Sequence, residues 1–249
     1  MGGRDLRFLL LQVRNPKDPM LQHEVQCFAR TLPAPIDQIG VFDLLSGALD
    51  PATLAAADMI LLGGSGDYSA AGEGAWLERA LDSLRAVHAS GKPTFASCWG
   101  FQGMARAMGG RVENVPEISE IGTYSLFLTY EGLRDPIFGP LGQEFRAQMG
   151  HEDHVVELPP RTTLLASSKR VPYQAYRFDD APIYCTQFHP ELRAKDLALR
   201  LSRYTRYEAY LDGTLPEFHD SISDTPETER IIARFVASQP TIETETLPR

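Results

Sequence analysis

Pro93-Thr94-Phe95-Ala96-Ser97-Cys98-Trp99-Gly100-Phe101-Gln102 carries an apolar, strand-like run directly into a helix-like one, with a cysteine at the joint. Thr94 to Ser97 reads as a strand, and Phe101 to Met108 as the helix that follows, ended by Gly109-Gly110. A side chain at such an elbow sits at a helix N-terminus, where unpaired N–H groups and the helix dipole favour an anion. The tight turn needs small neighbours, and Ala96 and Gly100 supply them. A free thiol has a reference pKa of about 8.5, so only a few per cent is thiolate at neutral pH, and a nucleophilic cysteine needs an imidazole beside it. Phe188-His189-Pro190-Glu191 offers one downstream. His189 and Glu191 are two apart and share a face of an extended segment. Glu191 can then accept from one ring nitrogen while the other faces the thiol, which fixes the tautomer.

The surrounding sequence supplies a sheet for this elbow. Arg7 to Val13 is a continuous apolar run suited to a buried parallel strand, and Leu21, Val25, Phe28 and Ala29 then recur at helical spacing. Ile36 to Leu44 reads as a second strand, Asp50-Pro51 as a helix start, and Met59 to Leu62 as a third strand running into Gly63-Gly64-Ser65. Trp76, Leu77, Ala80, Leu81, Leu84 and Val87 mark an amphipathic helix stopped at Gly91. This βαβ rhythm predicts a mainly parallel sheet with helices on both faces, and a site beyond the strand C-terminal ends, where Gly63-Gly64 and Cys98 fall. The N–H groups of Trp99 and Gly64 are the expected oxyanion donors.

After Arg111 the pattern becomes β-rich: Tyr124–Tyr130, Glu144–Met149, Thr163–Ala166, Tyr173–Phe178 and Ile183–Phe188 read as short strands, the last returning His189 to the first-half site. Leu197, Leu201, Tyr204, Glu208 and Leu211 suggest one further helix. Thr225-Pro226 reads as an N-cap with proline at the first helical position of another, and the stretch from Gln239 to Arg249 reads as a frayed tail. Two polar clusters invite other chemistry. Gly63-Gly64-Ser65-Gly66-Asp67 contains no lysine or arginine and no P-loop pattern, which argues against phosphate. Gly150-His151-Glu152-Asp153-His154 has liganding types, but neighbours on an extended segment point to opposite faces, so no metal site is expected.

A chain of 249 residues reads as one α/β domain, 1–192, with a C-terminal helical extension, 193–249, packed on it. The net charge of −9 argues against nucleic acid as a partner. Three cysteines suit a reducing cytoplasm, with Cys27 and Cys185 read as buried small hydrophobes. No apolar run approaches 18 residues, so no membrane span is expected, and no secretory h-region is evident.

Cys98-x-Gly100-x-Gln102, the Gly63-Gly64 loop and His189-Pro190-Glu191 together resemble the class I, triad-type glutamine amidotransferases, in the flavour of stand-alone relatives of the GMP synthase amidotransferase domain. The resemblance runs from about Leu6 to about Leu192. One departure stands out: the family usually has glycine two residues before the nucleophile, and this chain has Ala96. The resemblance implies a flavodoxin-like three-layer sandwich with a β-rich second half. It implies a Cys98–His189–Glu191 triad cleaving the γ-carboxamide of L-glutamine, or of a γ-glutamyl compound, through a thioester. It places Gln102, Gly63, Gly150 and His151 around the substrate and requires no cofactor or metal. Ammonia would pass to a separate synthetase subunit, since the chain has no ATP-binding motif. The alternatives are a stand-alone γ-glutamyl peptide hydrolase, a homoserine-type acyltransferase (whose elbow Cys98-Trp99-Gly100 echoes), or a catalytically silent binding module.

Overall fold

The computed structural model describes residues 6–204, 207 and 222–240. Eleven strands and seven α-helices alternate along them. The first half runs β1 (Phe8–Val13), α1 (Met20–Thr31), β2 (Ile39–Asp43), α2 (Pro51–Ala56), β3 (Met59–Ser65), α3 (Ala75–Ala89), β4 (Thr94–Ser97) and α4 (Trp99–Ala107). The second half runs β5 (Arg111–Asn114), β6 (Glu120–Leu128), α5 (Tyr130–Arg134), β7 (Glu144–His151), β8 (Asp153–Glu157), β9 (Thr162–Ser167), β10 (Ala175–Phe178) and β11 (Ile183–Thr186). The helices α6 (Ala194–Arg203) and α7 (Pro226–Ser238) follow.

Nine strands form one sheet in the order β2-β1-β3-β4-β11-β10-β9-β6-β7. The five strands from β2 to β11 are parallel. From β11 outward the pairs turn antiparallel. β1 and the first six residues of β3 are buried throughout, as their unbroken apolar runs require in a sheet covered on both faces. One face is covered by Leu77, Leu81, Leu84, Phe101 and Met104 of α3 and α4. The other is covered by Val25 and Phe28 of α1 and by Ile231, Ile232 and Phe235 of α7. A smaller cluster seats α6, with Leu197 and Leu201 against Cys27, Ile121 and Leu192.

Register sets the site. Leu62 lies opposite Ala96, and Ser97 opposite Thr186, so the three chains leave the sheet at one rim. Gly63-Gly64, Cys98 and Gln187-Phe188-His189 therefore emerge side by side, where ligands bind in open α/β sheets.

Several elements differ from the sequence reading. Residues 36–38 form a 3₁₀ turn after Pro35, and β2 begins only at Ile39. α4 begins at Trp99, directly after the cysteine. β5 and β8 are additional to the expected strands; they pair in a separate two-stranded sheet, through Val112 and Val155, on a stretch whose charged residues hide the alternation. Thr225 precedes Pro226 at the start of α7 as expected, but its hydroxyl makes no cap; its carbonyl accepts from Thr228 and Glu229 instead. The helix expected through Leu211 is described as α6 up to Arg203, and Glu208, Leu211 and the tail from 241 lie outside the described residues.

Candidate active site

The elbow is built from strain and close packing. Cys98 has φ 53° and ψ −104°, one of two described non-glycine residues with positive φ. Such a conformation persists only where its surroundings over-determine it. Here the Cys98 N–H donates to Thr186 O at 2.8 Å, extending the β4–β11 pairing by one residue, and the Cys98 carbonyl accepts from Gln102 N at 3.1 Å. The helix must also come very near the sheet. A side chain at Gly100 would put its Cβ 2.5 Å from Leu62 Cβ and 3.2 Å from that of Ala96. Ala96 is thus accommodated two residues before the cysteine because position 100 has no Cβ.

His189 arrives from β11, its N–H donating to Gln148 O at 2.9 Å. Its Nδ1 lies 2.7 Å from Glu191 Oε1. Both side chains are buried, with Glu191 only 1% exposed. Burial works against a charged imidazole, but Glu191 and then Cys98 outweigh it, lifting His189 to about 9. Burial pushes the Glu191 carboxyl up; the charge and hydrogen bond of His189, backed by the charge of Arg200, reverse this and hold it below the usual range. The remaining side of His189 is closed by Gly64, where a Cβ would lie 2.8 Å from His189 Cε1 and 3.6 Å from Cys98 Cβ. His189 thus stands between Glu191 on one side and Cys98 and the Gly64 backbone on the other. Trp99, at the first position of α4, has no intrahelical acceptor for its N–H.

A small cleft opens beside Cys98, lined by Ser65, Tyr68, Trp99, Gln102, Gly150 and His151, with Glu152 and Asp153 completing it. Gln102 is held from the side, its Nε2 donating to Asp153 O (2.9 Å) and to Gln187 Oε1 (3.2 Å). His151 is buried against Glu120, with Nε2 3.3 Å from Oε2, within ion-pair distance but outside hydrogen-bond geometry. Gly63 is turned to α1: a Cβ there would sit 2.2 Å from Glu24 Oε1.

Two anchoring roles, one on this wall and one behind Glu191, escape the sequence reading. The Asp153 carboxylate accepts from Ser69 Oγ (2.7 Å), Ala70 N (2.9 Å) and Asn114 Nδ2 (2.8 Å), pinning the loop that carries Tyr68. Arg200 of α6 places Nη1 3.7 Å from Glu191 Oε1. Its signal is present in the sequence: Arg200 is three residues after Leu197 and one before Leu201, an arginine on an apolar stripe. Elsewhere His23, Cys27 and Asp196 converge closely enough to suggest a cation. Arg30 donates to Asp196 there and burial lifts the Cys27 thiol to about 11, so that cluster is already neutralised by a guanidinium.

A family model described as "Glutamine amidotransferase class-I" matches residues 32–202. The chain belongs to the class-I glutamine amidotransferase family. Among its curated relatives, a glutamine-hydrolysing GMP synthase of Xanthomonas oryzae pv. oryzae is 31% identical over 165 residues, which is 63% of this chain and 30% of that protein. A subunit of the glutamine-hydrolysing GMP synthase of Pyrococcus abyssi is 37% identical over 100 residues, covering 40% of this chain and 51% of that one. The chain thus spans at most about half the length of these two relatives. Among solved structures, a glutamine amidotransferase of Thermotoga maritima superposes with a TM-score of 0.69 at 18% identity, covering 93% of this chain and 96% of that one. A glutamine amidotransferase of Methylobacillus flagellatus gives 0.68 at 17% identity over 98% and 99%. At such identities these likenesses speak to the fold. Among the described residues, no helix is long and apolar enough to cross a membrane.

Proposed function

We propose that this protein hydrolyses the γ-carboxamide of L-glutamine, with Cys98 as nucleophile, His189 as acid and base, and Glu191 as the group that orients the imidazole. The observation that carries this reading is the strained Cys98 at the head of α4, with an imidazole lifted to about 9 against it and a buried carboxylate 2.7 Å behind.

In the first half-reaction the Cys98 sulfur bonds to the γ-carbonyl carbon, and the oxyanion is held by the N–H groups of Gly64 and Trp99. The C–N bond breaks as His189 gives a proton to the leaving nitrogen, releasing ammonia and leaving a γ-glutamyl thioester. In the second, His189 takes a proton from water, the water oxygen bonds to the same carbon, the C–S bond breaks, and glutamate departs. Gln102, Gly150 and His151 border the substrate cavity and Gly63 buttresses the oxyanion loop from behind.

The Pyrococcus relative is named as one subunit of a glutamine-hydrolysing synthase. By analogy the ammonia made here passes to a separate synthetase chain. The test is glutamate release from glutamine, and from γ-glutamyl dipeptides, by the wild type and by Cys98→Ala. Release from glutamine that disappears in Cys98→Ala is expected. Faster release from the dipeptides would identify a stand-alone γ-glutamyl hydrolase. Turnover of homoserine with an acyl-CoA in place of both would identify an acyltransferase, and no turnover of any would leave only a binding module. Stimulation of glutaminase activity by a cell extract would reveal the synthetase.

A further inference from the structure

The carboxylate of Glu191 does not end the line of charges behind Cys98. Arg200 reaches it from α6 with Nη1 3.7 Å from Glu191 Oε1, while Nη2 lies 3.7 Å from Glu24 Oε1 of α1. Glu24 is in turn held by Arg14, just past β1, with Nη2 to Oε1 at 2.9 Å and Nε to Oε2 at 3.1 Å. Arg14 continues to Tyr204 Oη, just past α6, and Tyr204 donates to Asp18. The side chains of Glu191, Arg200, Glu24 and Arg14 are each 7% exposed or less. Arg14 is fully committed to its partners, whereas Nε and Nη2 of Arg200 make no hydrogen bond. Arg200, Gly64 and His189 line one second cavity, which shares Ser65 and Gly150 with the first.

We propose that Arg200 is a positioning residue for the hydrolysis, acting through Glu191 to keep the orienting carboxylate ionised whenever His189 is neutral. The inference rests on the functional reading above. Burial disfavours a charged carboxylate, and a facing positive charge is the strongest influence that keeps this one ionised. In the resting pair the imidazolium of His189 serves. Once His189 has given its proton to the departing ammonia, the imidazole is neutral and Arg200 is the cation left at hand. That is the state in which His189 must take a proton from water. Arg200 therefore serves the second half-reaction more than the first. Its positive charge also opposes protonation of the His189–Glu191 pair, so the base becomes available at lower pH than it would alone.

Other ionisable groups face Arg200. From α1 come Glu24, at 3.7 Å, and also His23 and Cys27, whose protonation is opposed by the charge of Arg200. Tyr204 follows α6, and Arg30 and Asp196 pair just beyond. Among these, Glu24 alone lies within ion-pair distance of Arg200 besides Glu191.

The test compares wild type, Arg200→Lys and Arg200→Gln on glutamine. Ammonia and glutamate are followed from the first turnover, and the pH profile of kcat is recorded. For Arg200→Gln the expected result is a burst of ammonia with delayed glutamate. A γ-glutamyl enzyme should accumulate, kcat and KM should fall together by roughly tenfold, and the acid limb of kcat should move up by about one pH unit, as loss of a nearby cation requires. Arg200→Lys keeps the charge and should restore the acid limb. If Arg200→Gln does not fold, the double variant Glu24→Gln, Arg200→Met removes one charge of each sign, and against Glu24→Gln alone it should show the same burst and the same shift. A folded Arg200→Gln with a wild-type acid limb and no accumulating acyl-enzyme would overturn the inference, even with a uniformly lower rate. Wild-type protein that neither releases glutamate nor becomes acylated at Cys98 would instead overturn the functional reading, and the role of Arg200 would fall with it.

Discussion

The backbone at Cys98 offers a test of the elbow that needs no substrate. At an ordinary position alanine is more stabilising than glycine by about 0.5–1 kcal/mol, because glycine loses more chain entropy on folding. Cys98 has φ 53°. An L-residue there carries strain of about 1–3 kcal/mol that glycine does not feel. Setting the two against each other, Cys98→Gly should be more stable than Cys98→Ala by about 1 kcal/mol, or about 2–4 °C in Tm for a chain of this size. Cys98 also occupies the N-cap of α4, where glycine outranks alanine for a separate reason. Thr129 supplies the control, since it caps α5 at φ −69°. The glycine-over-alanine gap at position 98 should exceed the gap at 129 by about 1 kcal/mol or more, read by thermal and urea unfolding of the four variants. Equal gaps, or alanine the more stable at 98, would refute a strained nucleophile elbow.

Gly64→Ala should cut glutaminase turnover by at least about tenfold while the protein stays folded, because the new methyl lies 2.8 Å from His189 Cε1 and small misplacements of reacting groups are costly; steady-state kinetics with a circular-dichroism check decides it. His189 is lifted to about 9 from an ordinary 6.5, so the stability it contributes is complete below about pH 6.5 and is lost as pH rises through 9. The Tm gap between wild type and His189→Gln should therefore be widest near pH 6 and close by pH 10. Asp153→Asn should destabilise the 66–74 loop by about 1.5–3 kcal/mol, the range for hydrogen bonds to a charged group, seen as faster proteolysis there and a raised KM; an unchanged KM would remove Asp153 from the cavity wall.

The strands and helices around the elbow are legible in the sequence because β1, β3 and β4 are buried on both faces and so read as unbroken apolar runs, while α3 displays a helical stripe. Gly63-Gly64, Cys98 and His189 are legible for the same reason: each lies at or just past the C-terminal end of an apolar strand. The second half is harder. β5 and β8 carry glutamates, an asparagine and a histidine on the strands themselves, and only Val112 and Val155 betray the pairing. The charged backing of the site is harder still. Glu24 and Arg200 stand on otherwise apolar helix faces and look like interruptions, and only the fold shows that helices far apart in the sequence bring them within 3.7 Å. Asp153 reads as part of a polar cluster, but its partners come from Ser69, Ala70 and Asn114, which no local spacing connects to it.

The most direct measurement is intact-mass and peptide analysis of the protein quenched in acid during turnover of glutamine. One γ-glutamyl group should be found, on Cys98 and not on the buried Cys27 or Cys185, and it should be absent from Cys98→Ala. Glutamate formation that continues in Cys98→Ala, or an adduct on another residue, would contradict a thiol nucleophile at the head of α4.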